Sequence, residues 1–210
     1  MSLATYVVLV PVKAPTVGKS RLASLGAQRR HELAEAFALD TVEAALACPV
    51  VQRVVAITDD AGLTAALAAR GCEVLPDVPA GGLNAALRYA AEHAHGRWPQ
   101  LRPVALCADL PALRPEDLGD ALARAAVVAG DQAAFVPDHA GTGTTTYTAP
   151  SELFAPHFGV GSREAHLAAG AVELADAPAG LRLDVDEVAD LERALALGVG
   201  AHTRGATNPH

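Results

Sequence analysis

Short apolar runs alternate along the chain with stretches in which apolar residues recur every three to four positions, the patterns of strands and amphipathic helices. Thr5 to Val12 is a β-branched run with Pro11 near its end, where a lost donor is tolerated, and it predicts a first strand that delivers Lys13. From Ala27 to Ala47 the period lengthens, with Leu33, Phe37, Thr41 and Ala44/Ala45 on one stripe, and Cys48-Pro49 closes this predicted helix. Val50 to Thr58 predicts the second strand. Asp59-Asp60 follow it, either capping a helix over Ala61 to Arg70 or supplying acidic ligands. Gly71 to Asp77 reads as a short strand and Ala85 to His95 as a helix. Pro103 to Ala108 is a continuous apolar run that stops on Asp109 and then Pro111, which predicts a strand buried on both faces. Beyond it the pattern predicts a helix from Pro115 to Val128 and strands at Ala133 to Val136 and Thr145 to Ala149. A helix from Ser162 through Ala169, strand-like segments at Ala171 to Leu174 and Leu181 to Val185, and a helix from Glu187 to Leu197 complete the series. From Gly198 periodicity is lost, so residues 198–210 are expected to form a disordered tail behind one domain of residues 1–197.

Strands alternating with helices predict an α/β fold: a single Rossmann-like domain with a mostly parallel, mixed sheet and helices on both faces. Ligands of such sheets bind beyond the carboxyl ends of the strands, so Asp109 is expected to face a crevice. Asp184 and Asp186 end another strand-like segment, and if the two ends are neighbours, three acids converge. Such a cluster repels itself unless a cation occupies it, and hard oxygen ligands beside a phosphate suit magnesium. The plainer reading makes Asp186 a helix cap and Asp184 incidental.

The loops sort into cationic and neutral ones. After the first strand come Lys13, Lys19 and Arg21, placed to meet phosphates or simply solvated. Gly18-Lys19-Ser20 looks like the end of a Walker A loop, but that motif needs a glycine where Lys13 stands, and a P-loop is excluded. Gly81-Gly82-Leu83-Asn84 precedes a helix, where bare amides and the Asn84 side chain could approach a base edge; the alternative is a βα turn with Asn84 as cap. Asp138 to Thr146 is rich in glycine and threonine, and Phe158-Gly159-Val160-Gly161-Ser162-Arg163 is a second small-residue loop. Each offers neutral donors for a phosphate or carboxylate, or is an ordinary turn, with Ser162 a possible cap.

Composition narrows the partners. Of 210 residues 51% are apolar and only 4% aromatic, so a sizeable core is built from Ala, Val and Leu. A net charge of −8 opposes a nucleic-acid partner, and an anionic substrate must be held by local cations and metal. Three widely spaced cysteines, no basic leader and no membrane-length apolar run fit a soluble cytoplasmic protein. The eight histidines are scattered and read as surface or loop residues.

Taken together, Leu9-Val10-Pro11-Val12-Lys13, Lys19-Ser20-Arg21-Leu22, Gly81-Gly82-Leu83-Asn84, Ala108-Asp109-Leu110-Pro111, Gly141-Thr142-Gly143-Thr144-Thr145, Phe158-Gly159-Val160-Gly161-Ser162 and Asp184-Val185-Asp186 resemble one family over residues 6–197. It is the guanylyltransferase family of coenzyme F420 biosynthesis, which acts on 2-phospho-L-lactate or phosphoenolpyruvate. The resemblance implies a nucleotide-diphospho-sugar-transferase-like fold and transfer of GMP from GTP to the phosphate of a three-carbon phosphocarboxylate, with release of diphosphate. It implies two Mg2+ ions held by Asp109, Asp184 and Asp186, with Lys13, Lys19 and Arg21 at the triphosphate and catalytic together with Asp109. Gly82, Leu83 and Asn84 would border the guanine, and Thr144, Gly159 and Ser162 would bind the acceptor. The alanine-rich composition resembles actinobacterial proteins and tilts the acceptor to phosphoenolpyruvate; product hand-off to the downstream F420 transferase is a further expectation. The alternatives are a related enzyme, such as molybdenum cofactor guanylyltransferase or a sugar-phosphate cytidylyltransferase, and a non-catalytic nucleotide-binding module.

Overall fold

A computed structural model of the chain describes residues 4–12, 25–78 and 81–208. Lys13, Lys19 and Arg21 lie outside the described residues. Within them a seven-stranded sheet has the order β3-β2-β1-β4-β6-β5-β7, formed by β1 (Tyr6–Pro11), β2 (Val51–Ile57), β3 (Glu73–Leu75), β4 (Arg102–Leu106), β5 (Ala134–Pro137), β6 (Thr144–Thr148) and β7 (Val172–Glu173). Only β6 runs against its neighbours; β1 pairs in parallel with β2 and β4, β2 with β3, and β5 with β7. The chain moves from β1 outward through β2 and β3, then returns to place β4 on the other side of β1. The switch point therefore lies between the ends of β1 and β4, where open α/β sheets bind ligands.

The period-2 alternation of the strands feeds two cores. Val8, Val10, Val54, Ala56, Val104 and Leu106 face one way, onto α1 (Ala27–Ala47), α2 (Ala61–Ala69) and α4 (Pro115–Val128). Val7, Leu9, Val55, Ile57 and Ala105 face the other, onto α3 (Leu83–Arg97). Small alanines at Ala86, Ala90, Ala91 and Ala94 let α3 lie close to the sheet, which is how a core with few aromatics is filled. A third cluster joins Leu33 and Phe37 of α1 to Leu183, Val185, Leu191 and Ala194, the last two on α7 (Val188–Leu197).

Three expectations are corrected. Leu181–Val185 is not a strand: residues Ala179–Arg182 form a short helix, α6, and 183–186 are extended without joining the sheet. Asp186 does not cap α7; Glu187 does, in a capping box with Asp190. The stretch after Gly198 is not a disordered tail, since Ala201–Thr207 form α8, which packs on α1. The buried Asp40 of α1 orders it by accepting from the His202 and Thr203 N–H groups at 3.0 and 2.8 Å, a cap supplied from far away in sequence.

Candidate active site

The crevice is built at the carboxyl edge of the sheet. There β4 leaves through Cys107-Ala108-Asp109, β5 ends on Pro137-Asp138, and the reversed β6 starts at Thr144, so residues distant in sequence share one rim. Asp109 is held by its neighbours' backbone. Thr41, fully buried on α1, donates its hydroxyl to Phe37 O at 2.8 Å and accepts from the Leu110 N–H at 3.1 Å, so the strand's exit is clamped on the residue after the carboxylate. In the sequence Thr41 is merely one position of a helical stripe.

Asp184 and Asp186 arrive by a different route. The Val185 N–H donates to Asp109 O at 3.0 Å, tying the extended 183–186 segment to the β4 exit. Leu183 and Val185 are buried in the third core cluster, so the alternation of extended backbone turns Asp184 and Asp186 together the other way. One carboxylate oxygen from each of Asp109, Asp184 and Asp186 lies within 4.8 Å of the others. Burial, then the charges of Asp109 and Asp186, push the Asp184 carboxyl up from 3.8 to about 7. Three hard oxygen donors whose mutual repulsion opposes full ionisation suit a divalent cation. A second acidic group, Asp40, Glu43 and His202, has the spacing but not the freedom. Asp40 caps α8, and Glu43 is paired with Arg70 at 2.8 Å and with His202 at 2.9 Å, bonds that lower its pKa.

Asp138 and Asp190 are supports that sequence reasoning missed. Asp138 Oδ1 accepts from the Thr142 N–H at 2.9 Å and closes the hairpin between β5 and β6; a methyl at Gly143 would overlap its carboxylate. Arg182 donates to the carbonyls of Pro137, Ala175 and Asp138. Asp190 Oδ2 accepts from the Asp186 and Glu187 N–H groups at 3.2 and 3.0 Å, fixing the backbone beside the cluster. Only an aspartate three residues after Glu187, the spacing of a capping box, could have signalled this.

The two neutral loops meet each other, the Arg163 N–H donating to Thr142 O at 3.2 Å. Thr144 and Ser162 are both buried. Gly159 and Gly161 hold φ of 135° and 70°, the region where glycine is favoured, and Gly161 rather than Ser162 caps the helix α5 (Ser162–Ala168). Arg163 does not face the loop's interior; it makes a bidentate pair with Glu173 at 3.0 Å on both arms. Gly82 caps α3 with φ 83°, and Asn84 lies within the helix and does not cap it. The Asn84 amide spans to the second loop instead, donating to Phe158 O at 2.9 Å and accepting from the Phe158 N–H at 2.8 Å. Asn84 thus ties the start of α3 to the loop that carries Gly159 and Ser162. Of the acidic pair after β2, Asp60 caps α2 through the Leu63 N–H at 2.9 Å and Asp59 accepts from the Asp77 N–H at 3.0 Å, so both serve the fold.

One histidine departs from its expected surface position. His166 of α5 is fully buried, stacked on Tyr147 and Phe135 with ring centroids 4.8 and 5.3 Å away. Burial, and secondarily His157, push its pKa down to about 4, so the ring is neutral at physiological pH. No local pattern marks it, because its apolar surroundings come from β5 and β6.

Comparison with known proteins gives one consistent picture. The family model described as guanylyl transferase CofC like matches residues 6–205. A phosphoenolpyruvate guanylyltransferase of Streptomyces coelicolor is 50% identical over 94% of this chain and 93% of its own. That of Thermomonospora curvata is 47% identical over 95% of this chain and 87% of its own. Among solved structures, 4-diphosphocytidyl-2C-methyl-D-erythritol synthase shares the fold with a TM-score of 0.61 at 13% identity, covering 93% of this chain and 99% of that one. A Mycobacterium tuberculosis protein in complex with manganese does so with a TM-score of 0.56 at 22% identity, covering 92% of this chain and 100% of that one. Among the described residues no helix is long and apolar enough to cross a membrane.

Proposed function

The chain belongs to the CofC-like guanylyl transferase family, and on that premise we propose that it transfers GMP from GTP to the phosphate of phosphoenolpyruvate, or of 2-phospho-L-lactate, releasing diphosphate in coenzyme F420 biosynthesis. The observation that carries the reading is the convergence of Asp109, Asp184 and Asp186 at the switch point of the sheet. An acceptor phosphate oxygen attacks the α-phosphorus in line. The new P–O bond forms as the bond to the β-phosphate breaks, and diphosphate leaves with the electron pair. The attacking phosphate is already ionised at neutral pH, so the chain need not supply a general base. Its task is positioning and charge neutralisation. Asp109, Asp184 and Asp186 would hold two Mg2+ ions, which when bound neutralise the charge of the meeting phosphates and of the departing diphosphate. At about 4 Å and an effective dielectric near 20, each unit-charge pair of meeting anions repels by about 4 kcal/mol, which sets the scale of the need.

Lys13, Lys19 and Arg21 follow β1 in sequence and would meet the triphosphate. Gly82, Leu83 and Asn84 would border the guanine, and Thr144, Gly159 and Ser162 would take the acceptor's carboxylate and phosphate through neutral donors. A compact acceptor suits small residues better than a pterin or a sugar would. Diphosphate release measured with each of four nucleoside triphosphates against phosphoenolpyruvate, 2-phospho-L-lactate and 3-phosphoglycerate, with the downstream transferase present to draw off product, tests the proposal. GTP with phosphoenolpyruvate is the expected pair; release with none of the three acceptors, or only with a nucleotide other than GTP, would refute it. Thr144→Ala and Ser162→Ala are expected to raise the acceptor KM more than the GTP KM, and the opposite pattern would overturn the partition of the loops.

A further inference from the structure

His166 is the buried group that the reaction itself does not use, and both of its ring nitrogens are committed. The His157 backbone N–H lies 2.9 Å from Nε2. A backbone amide can only donate, so Nε2 carries the lone pair and the neutral ring bears its hydrogen on Nδ1. Nδ1 lies 3.0 Å from Thr144 Oγ1 and shares its hydrogen between that oxygen and the Ser162 backbone carbonyl; bearing a hydrogen, it cannot accept from the hydroxyl. The Thr144 oxygen is then an acceptor toward His166, and its own hydrogen is left for another partner. The ring is fixed by Tyr147 and Phe135 on its faces and by His157 and Phe158 edge-on. Through its two nitrogens one imidazole joins the start of β6 to the loop that leads into Gly159 and Ser162.

We infer that His166 is a positioning residue for the acceptor: it fixes the rotamer of Thr144 so that the hydroxyl presents its hydrogen to an anionic oxygen, and it holds the 157–162 loop in register with that hydroxyl. This rests on the proposed role of Thr144 in acceptor binding and adds the residue that makes Thr144 a donor. A protonated imidazole could not serve, since Nε2 would then face the His157 N–H as a second donor.

Three substitutions separate the two links. His166→Phe keeps the ring volume and stacking and removes both. His166→Asn can place an amide nitrogen near the position of Nδ1, and His166→Gln an amide oxygen near that of Nε2. For folded variants, checked by circular dichroism and melting, His166→Phe is expected to raise the acceptor KM roughly tenfold while the GTP KM stays within about twofold. His166→Asn should recover more of the acceptor KM than His166→Gln. In the double variant with Thr144→Ala, His166→Phe should add little to the loss caused by Thr144→Ala alone, because one acts through the other. Equal losses in the Phe, Asn and Gln variants, additive losses in the double variant, or a fall in kcat with the acceptor KM unmoved would each overturn the inference. If Thr144→Ala leaves the acceptor KM unchanged, the binding role assigned to Thr144 fails and the inference with it. If Thr144→Ala raises the acceptor KM and His166→Phe does not, the binding role stands and only the inference falls.

Discussion

Asp184→Asn should make the cation-free protein more stable while destroying the site. Asp184 is only 21% exposed on its side chain, and its burial, with Asp109 and Asp186 alongside, moves the carboxyl from 3.8 to about 7. That rise corresponds to about 4 kcal/mol set against the ionised form once the pH exceeds the folded value. The sign follows from proton binding: between the two values the folded state binds more protons than the unfolded one. Asp184's contribution is therefore fully present below about pH 4 and lost as the pH rises through about 7. Asparagine removes the charge and with it this loss. In the presence of EDTA at about pH 8, Asp184→Asn is expected to melt higher than the parent by on the order of 10 °C, with the difference shrinking toward about pH 4. Saturating Mg2+ should then raise the melting temperature of the parent and leave that of the variant nearly unmoved, since binding to the native state alone stabilises it. Thermal melts at both pH values, with EDTA and with Mg2+, read all of this. A variant that melts below the parent at about pH 8 in EDTA would show that Asp184 is not strained as described, and a parent indifferent to cations would show that the three carboxylates hold none.

His166 predicts the opposite acid behaviour. Its pKa falls from 6.5 to about 4 on folding, so stability present above about pH 6.5 is lost as the pH falls toward about 4, on the order of 3 kcal/mol, and urea midpoints of His166→Phe should lack this component; an unchanged slope in the variant would contradict the burial argument. Gly200→Ala would drive a methyl into the Asp40 carboxylate that caps α8, costing roughly 1–3 kcal/mol, read as a lower melting temperature; a neutral result would show that α8 shifts freely. Asn84→Ala removes both hydrogen bonds to the Phe158 backbone and should raise the KM of the acceptor as well as that of GTP, whereas a change confined to GTP would mean that the amide serves the base alone.

The parts of this molecule that a reader of the sequence can find are those governed by local pattern. The run from Pro103 ends on Asp109 because a buried strand must surface, and the 21-residue helix α1 matches its apolar stripe at both ends. Leu181–Val185 was misleading because alternating apolar and polar residues suit any extended backbone, whether or not it joins a sheet. The alternation nevertheless put Asp184 and Asp186 on one side, which is what the site requires. The order of α8 is invisible locally, since its Gly-, Ala- and His-containing sequence has no stripe and its caps come from Asp40. His166 is hidden for the same reason: the aromatic rings that enclose it are recruited by the hairpin of β5 and β6. Asn84 illustrates the limit of motif reading, because a side chain that can read a base edge is equally able to hold a loop.

Diphosphate release from GTP and phosphoenolpyruvate, compared between the parent and Asp109→Asn at saturating Mg2+, bears most directly on the central claim. The account predicts turnover in the parent and its loss by roughly a thousandfold or more in a variant whose circular dichroism is unchanged. Turnover at the parent's rate in Asp109→Asn would contradict it.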